Sequence, residues 1–343
     1  MIDAAGRDYK GELQWPVDPN QNAGPVVALA GGVGGAKLAY GLYHLLGEAL
    51  SMVVNTGDDF EHWGLSISPD LDTVMYNLAG INQPQRGWGL ADETFHALEM
   101  VSRYGEAHWF RLGDGDLATH ILRSHRLNKG EKLTEVMFKL KTGLGIGAGL
   151  LPMSDDRVRT MVHTDQGVLG FQEYFVHQRC EPRLYSLQFD GIDKARPSPQ
   201  VLAALDAARV VILCPSNPYL SLDPILLLPG LSDWLCSLPV PVIAVSPIIG
   251  GKALKGPAAK IMAELGVESS AVAVAKHLAG RIRLDGFVLD SLDEALADRV
   301  ADAGITPLVT DTIMRDDSSK IKLASEVLGF AAQLDKRARR VPR

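Results

Sequence analysis

A chain of 343 residues, 46% hydrophobic and 22% charged, is long enough to bury a large core in one elaborate or two modest domains, and its composition excludes a disordered chain. A formal net charge of −7 argues against an extended nucleic-acid or anionic-membrane surface, while leaving room for a local basic pocket. Cys180, Cys214 and Cys236 form no CxxC pair, so no disulfide framework or zinc ribbon is expected, and a reduced, cytoplasmic setting fits. Residues 1–24 are polar without an apolar signal-like stretch and read as a loose extension. No apolar run is long enough to span a bilayer.

The first element is Val26–Ala30, a short apolar strand running into Gly31, Gly32, Gly34 and Gly35 and then into a helical pattern. Glycines let a ligand approach main-chain N–H groups, a helix N-terminus favours an anion, and Lys37 adds a point charge. A phosphate is the natural guest. The Walker pattern fails, because Ala36 and Leu38 stand where Gly and Ser or Thr are required. GxGxxG fails at Lys37.

Ser51–Asn55 reads as a second strand ending in the turn Thr56-Gly57-Asp58-Asp59, and Pro69 with Asp70 and Asp72 starts a helix. Asp92 is read as capping a helix through Arg103, His108–Leu112 as a strand, and Leu117 to about Arg126 as a helix. A helical stretch Thr134–Lys141 precedes a glycine-rich loop, residues 143–149. Val158–His163 and Val168–Val176 read as a hairpin, with Arg183–Phe189 a further strand. Residues from about 82 to 197 are therefore taken as an inserted mixed helix and hairpin subregion. Beyond it come strands Val210–Leu213, Val242–Val245, Gly286–Leu289 and Pro307–Val309. Helices are read between them: Gln200–Ala208, around Ile225–Cys236, Ala258–Leu265, Ala271–Ala279, Leu292–Ala303 and one from Lys320. Such alternation predicts a doubly wound, mostly parallel α/β sheet in a single domain from residue 25.

Strand ends in a parallel sheet share one rim, so the glycine turn, Asn55–Asp59, Ser216-Asn217 and Ser246–Gly251 should converge. Carboxylates and substrate phosphates together hold Mg²⁺, which makes the Asp58, Asp59, Asp70, Asp72 group the candidate metal site. Asp58 and Asp70 read better as turn former and helix cap, leaving Asp59 and Asp72. Arg111 suits a planar or anionic group, and Ser216 with Asn217 a base or ribose. Cys214 ends an apolar strand and reads as buried and inert. No HExxH spacing occurs, and His62 reads as structural. Trp63, Trp88 and Trp109 read as core first and as stacking surfaces second.

GGVGGAKL, NTGDD, SPDLDTVMY, RLGDGDLATHI, LPMSDDRVRT, PSNPYLS, SPIIGGKALKGPAAK and TDTIM, in that order, resemble the 2-phospho-L-lactate transferase family of coenzyme F420 biosynthesis, from about Val26 to Gly329. The resemblance implies a Rossmann-like fold and a homodimer. It also implies transfer of a phospho-three-carbon acid from its guanosine-diphosphate-linked form to the ribityl hydroxyl of the deazaflavin Fo, with release of GMP. By the same resemblance Asp72 contacts Fo or metal, Arg111 lines the Fo site, and Gly31, Gly32, Gly34, Gly35, Lys37, Ser216 and Asn217 receive the nucleotide. Mg²⁺ would be held by Asp59 or Asp72, either of which would take the hydroxyl proton. Gly115 stands where some relatives are expected to carry a basic residue. A non-catalytic nucleotide-sugar-binding regulator of related fold is the alternative, and a nicotinamide oxidoreductase a weaker one. Phospholactate, phosphoenolpyruvate and phosphoglycerate are not distinguished by any motif.

Overall fold

Val26–Ala30 (β1) is buried at all five positions, as a parallel strand covered on both faces must be. The computed structural model describes residues 24–253 and 257–340, with side chains to residue 335. The expected extension at 1–24 lies outside the described residues except for Gly24.

In chain order the remaining strands are Leu50–Val54 (β2), Phe60–His62 (β3), Leu65–Ile67 (β4), Gly149–Pro152 (β5), Arg159–Thr164 (β6), Gly167–Gly170 (β7), Leu184–Asp190 (β8), Val210–Leu213 (β9), Val242–Val245 (β10), Ile248–Ile249 (β11), Lys252–Ala253 (β12), Gly286–Asp290 (β13) and Thr306–Thr310 (β14). Seven build one sheet, ordered β14-β13-β10-β9-β1-β2-β5, with every neighbouring pair parallel. This is the parallel α/β sheet expected from the alternation, and it is Rossmann-like as the resemblance implies.

Alternate side chains enter two cores. Val27 and Leu29 pack with Val53, Val211 and Leu213 on one face, under helices Pro199–Asp206, Leu231–Ser237, Ala258–Glu264 and Ala271–Ala279. Val26, Ala28 and Ala30 pack with Val54 and Ile212 on the other, under Gly32–Leu46 (α1), Pro69–Leu78 (α2) and Asp317–Arg340. From β1 the chain runs outward through β2 to the edge at β5, then returns to β9 and runs the opposite way. The reversal falls between β1 and β9, so the crevice at their carboxyl ends is the topological switch point.

Several boundaries differ from the sequence reading. His108–Leu112 forms no strand. The last residue of the expected 143–149 loop and the three after it form β5, which pairs with β2 from Ser51 opposite Gly149 to Val54 opposite Pro152. The span 82–197 therefore contributes an edge strand to the central sheet. Helices His96–Arg103 (α3), Asp114–Leu127 (α4) and Leu133–Gly143 (α5) precede that strand, and the antiparallel β7-β6-β8 sheet follows it. Four residues are too few to carry a period of their own. Strand β7 stops at Gly170, and residues 173–177 turn helical instead of extending to Val176. The helix expected around Ile225–Cys236 is divided by Pro229 and Gly230, whose φ is +82°. Asp92 sits in a turn, while Asp114 accepts the His96 and Ala97 N–H groups at 3.0 Å and so caps α3 from across the chain.

Candidate functional site

Helix α1 begins at Gly32, so Gly34 and Gly35 lie in its first turn and not in a loop before it. Their role is close approach. A Cβ on Gly34 would run into the Pro215 carbonyl oxygen, and one on Gly35 would lie 2.6 Å from Ser216 Oγ. Ser216 Oγ accepts from Gly31 N–H at 3.1 Å and donates to Gly31 O at 2.9 Å, latching the ends of β1 and β9 together. The Gly32 N–H donates to Asp70 Oδ1 at 2.7 Å, so a carboxylate already occupies part of the expected anion cradle. Lys37 Nζ donates to the Met314 carbonyl at 2.8 Å, tying α1 to the loop after β14.

Above this switch point opens a cavity of about 810 Å³, within the range of small-molecule sites. Its walls bring together Gly31, Gly32, Gly34, Lys37, Asp72, Arg111, Ser216 and Asn217. Gly35 and Asp59 stand behind the wall. Asn217 Oδ1 accepts from Tyr219 N–H and Leu220 N–H at 3.0 and 3.2 Å, while its buried Nδ2 has no partner. A buried donor facing a cavity is a demand for a ligand acceptor.

One part of the wall is aromatic, with Trp88, Trp109, Phe110, Phe171 and Phe175. Trp109 stacks on His177 with ring centroids 5.1 Å apart, and Arg111 lies 4.5 Å over the Phe95 ring. Trp63 is instead tied by its Nε1 to the Ala107 carbonyl, and His62 sits buried among Phe60, Trp63, Trp109 and Phe110. Cys214 is fully buried and its thiol is pushed up by that burial, as an inert core cysteine should be.

The acids divide differently from the sequence reading. Asp58 and Asp70, read there as turn and cap, both face the cavity. Asp70 does not cap α2, because its oxygens take Gly32 N–H and Asn55 Nδ2, the latter at 3.0 Å. Asp58 Oδ1 accepts from Thr160 Oγ at 3.2 Å. Burial pushes Asp58 well up, the neighbouring charge of Asp70 adding to it. Burial likewise raises Asp70 to about 6, against the lowering effect of Asn55 and Gly32. Asp59 is raised by burial to about 7, held down in part by Arg159 and a 2.7 Å hydrogen bond from Ser68.

Asp72 is committed elsewhere. Both its oxygens face the fully buried Arg123, Nη1 at 3.0 Å from Oδ2 and Nη2 against Oδ1. Its charge is spent on that ion pair, which counts against Asp72 as metal ligand or proton acceptor. Around the pair, Tyr76 donates to Asp116 Oδ1 at 2.6 Å, and His120 lies between Asp116 and Arg123; Tyr76, Asp116 and His120 all line the cavity. The sequence reading passed over these residues, although Asp116, His120 and Arg123 at spacings of four and three mark one helix face. At Gly115, the N–H donates to Glu93 Oε1 at 2.8 Å, so an internal carboxylate meets the N-terminus of α4.

Among the described residues no group of three or more His, Cys, Asp or Glu is arranged to hold an ion unaided. Mg²⁺ needs less, one or two carboxylates completed by phosphates and water. Asp58 and Asp70 fit that demand, being buried carboxylates that face the cavity and repel one another without a cation. A raised carboxyl pKa means that the folded state binds protons more tightly than the unfolded chain. Its contribution is complete below about pH 4 and is lost as pH rises through about 6 for Asp70 and 7 for Asp59. Each unit of such a shift is worth about 1.4 kcal/mol. The unfolding free energy is thus expected to carry a declining contribution between pH 4 and 7, which Asp59→Asn should flatten in denaturant titrations. An unchanged slope in that variant would remove the assignment.

Residues 26–327 match the 2-phospho-L-lactate transferase CofD family. The chain belongs to that family. It is 41% identical over 315 residues to a phosphoenolpyruvate transferase of Streptomyces avermitilis, covering 90% of this chain and 98% of that protein. A phosphoenolpyruvate transferase of Mycobacterium bovis (strain BCG / Pasteur 1173P2) is 40% identical over 310 residues, covering 83% and 94%. A UPF0052-family protein of Bacillus halodurans superposes with a TM-score of 0.57 at 13% identity, over 89% of this chain and 98% of that one, a likeness of fold. Membership in the CofD family makes the protein a phosphotransferase of coenzyme F420 biosynthesis acting on small molecules. No helix among the described residues is long and apolar enough to cross a membrane.

Proposed function

We propose that this CofD-family protein transfers a phospho-three-carbon-acid unit from its guanosine-diphosphate-linked form to the ribityl hydroxyl of Fo, releasing GMP. The observation that carries the reading is one continuous cavity bounded by the switch-point glycines and Asn217, by Asp58 and Asp70, and by aromatic rings beside Arg111. The unpartnered Asn217 Nδ2 supplies a donor for the nucleotide, and the aromatic walls suit a planar deazaflavin. The relatives named phosphoenolpyruvate transferases, at about 40% identity, favour the phosphoenolpyruvate-linked donor.

Bound Mg²⁺, held by Asp58 and Asp70, would neutralise diphosphate charge. The chain's own residues do the positioning on which phosphoryl transfer depends. Ser216 and the close contacts of Gly34 and Gly35 fix the nucleotide end, Arg111 and the rings fix the acceptor, and Arg123 holds Asp72 in the wall between.

Asn217→Ala is expected to weaken GDP binding about tenfold in calorimetric titrations, the equivalent of one hydrogen bond of about 1.4 kcal/mol. Quenching of Fo fluorescence on titration should be unaffected by the same change. Unaltered GDP affinity would move the nucleotide away from the switch point, and no Fo quenching would remove the acceptor site.

A further inference from the structure

His120 is 1% exposed, lines the cavity wall, and presents an Nε2 without a hydrogen-bond partner. Its other nitrogen is spoken for. Arg123 Nη1 lies 3.2 Å from Nδ1, and a guanidinium can only donate, so Nδ1 must be the acceptor. The ring's hydrogen is then at Nε2. Asp72 Oδ2 is 3.7 Å from Nδ1, too far to claim a hydrogen there, and is already taken by Arg123. Asp116 Oδ1, which accepts from Tyr76 OH, lies 3.4 Å from Nε2, a long electrostatic contact that falls short of hydrogen-bond geometry and leaves the Nε2 donor to a ligand. The Ser66 carbonyl, 3.3 Å from Arg123 Nη1, and the Met137 sulfur, 4.0 Å from Nη2, complete the surroundings of the guanidinium.

We infer that His120 is a tautomer-locked hydrogen-bond donor whose Nε2–H binds a phosphoryl oxygen of the bound diphosphate, and that Arg123 acts through it as a positioning residue. The inference rests on the transferase reading above. In the transfer, the acceptor hydroxyl oxygen forms a new P–O bond while the bridging P–O bond breaks, its electron pair leaving with the nucleoside monophosphate. The hydroxyl proton passes to water in the cavity and not to the imidazole, whose Nδ1 is blocked by Arg123 and whose Nε2 already carries hydrogen. His120 therefore stabilises charge on the transferred group and is not a general base. Such a donor, preorganised on a buried side chain, is worth more than the same donor in water.

Two measurements test this. Long-range ¹H–¹⁵N correlation spectra of ¹⁵N-histidine-labelled protein, with the His120 signal assigned from His120→Gln, should show the Nε2–H tautomer at pH 7. In transfer assays with Mg²⁺, Fo and the phosphoenolpyruvate-linked guanosine diphosphate, His120→Leu should lower kcat about 10²-fold with little change in KM for Fo. His120→Gln, which restores a donor near the Nε2 position, should recover kcat to within about tenfold of the wild type and keep the acid limb of its pH profile. An Nδ1–H tautomer, a kcat for His120→Leu within about twofold of wild type, or equal losses in both variants together with loss of the acid limb would each overturn the inference. No product from the wild-type chain would overturn it together with the transferase reading, whereas product at full rate from His120→Leu would overturn it alone.

Discussion

Arg123→Met is expected to lower the unfolding free energy by about 3–5 kcal/mol, because it leaves the Asp72 carboxylate buried without its counter-charge. The guanidinium is fully buried between α4 and α2 and meets both Asp72 oxygens, so no water can replace it without opening the wall of the cavity. Replacing both partners is a different matter. Asp72→Leu with Arg123→Met removes two desolvated charges together, and the double variant should recover most of the loss. Urea unfolding of the two single variants and the double variant gives the coupling directly. A single Arg123→Met variant within about 1 kcal/mol of the wild type would show that the buried ion pair does not hold Asp72 in the fold.

The second large effect is on activity. Asp70→Asn keeps an oxygen able to accept the Gly32 N–H and the shape of the side chain, but removes the charge that would face a cation. A fall in kcat of about 10²–10³-fold is expected, with a much weaker dependence on Mg²⁺ concentration, and a similar loss for Asp58→Asn. Stability at pH 7 should not fall for Asp58→Asn, which removes a carboxylate that burial disfavours, whereas Asp70→Asn turns an amide toward Asn55 Nδ2 and should lose the stability of that one hydrogen bond, about 1 kcal/mol. Asp72→Asn should behave in the opposite way, losing stability through Arg123. Retention of Mg²⁺-dependent activity in Asp70→Asn and Asp58→Asn, with its loss in Asp59→Asn, would return the metal to one of the two residues first expected from sequence, Asp59 and Asp72.

That contrast shows where the sequence is readable. The strand β1, the glycine entry to α1 and the rim of strand ends follow from apolar runs and turn residues that lie side by side in the chain, and they place the cavity at the β1–β9 switch point. The division of labour among four acids within fifteen positions does not follow from local pattern. Asp72 is taken by Arg123, 51 residues away, and Asp70 by the Gly32 N–H, 38 residues away. Helix periodicity puts both on buried faces of α2 without naming their partners. Strand β5 was hidden for a related reason, since its four residues gain their pairing from β2, about a hundred positions earlier.

Glycines illustrate a third kind of signal. Gly31, Gly32, Gly34 and Gly35 read as a phosphate loop, yet only Gly32 has positive φ, at +63°, while Gly34 and Gly35 are small so that Pro215 and Ser216 can come close. The same residues thus serve the packing of β1 against β9 as well as the entrance to the cavity.

The most direct measurement is mass spectrometry of the products formed when the purified protein is mixed with Fo, Mg²⁺ and, separately, each of the three guanosine-diphosphate-linked acids. The transferase reading requires a phosphodiester of Fo together with GMP, with the phosphoenolpyruvate-linked donor giving product fastest. No Fo adduct from any of the three donors, in protein that still binds GDP, would contradict it.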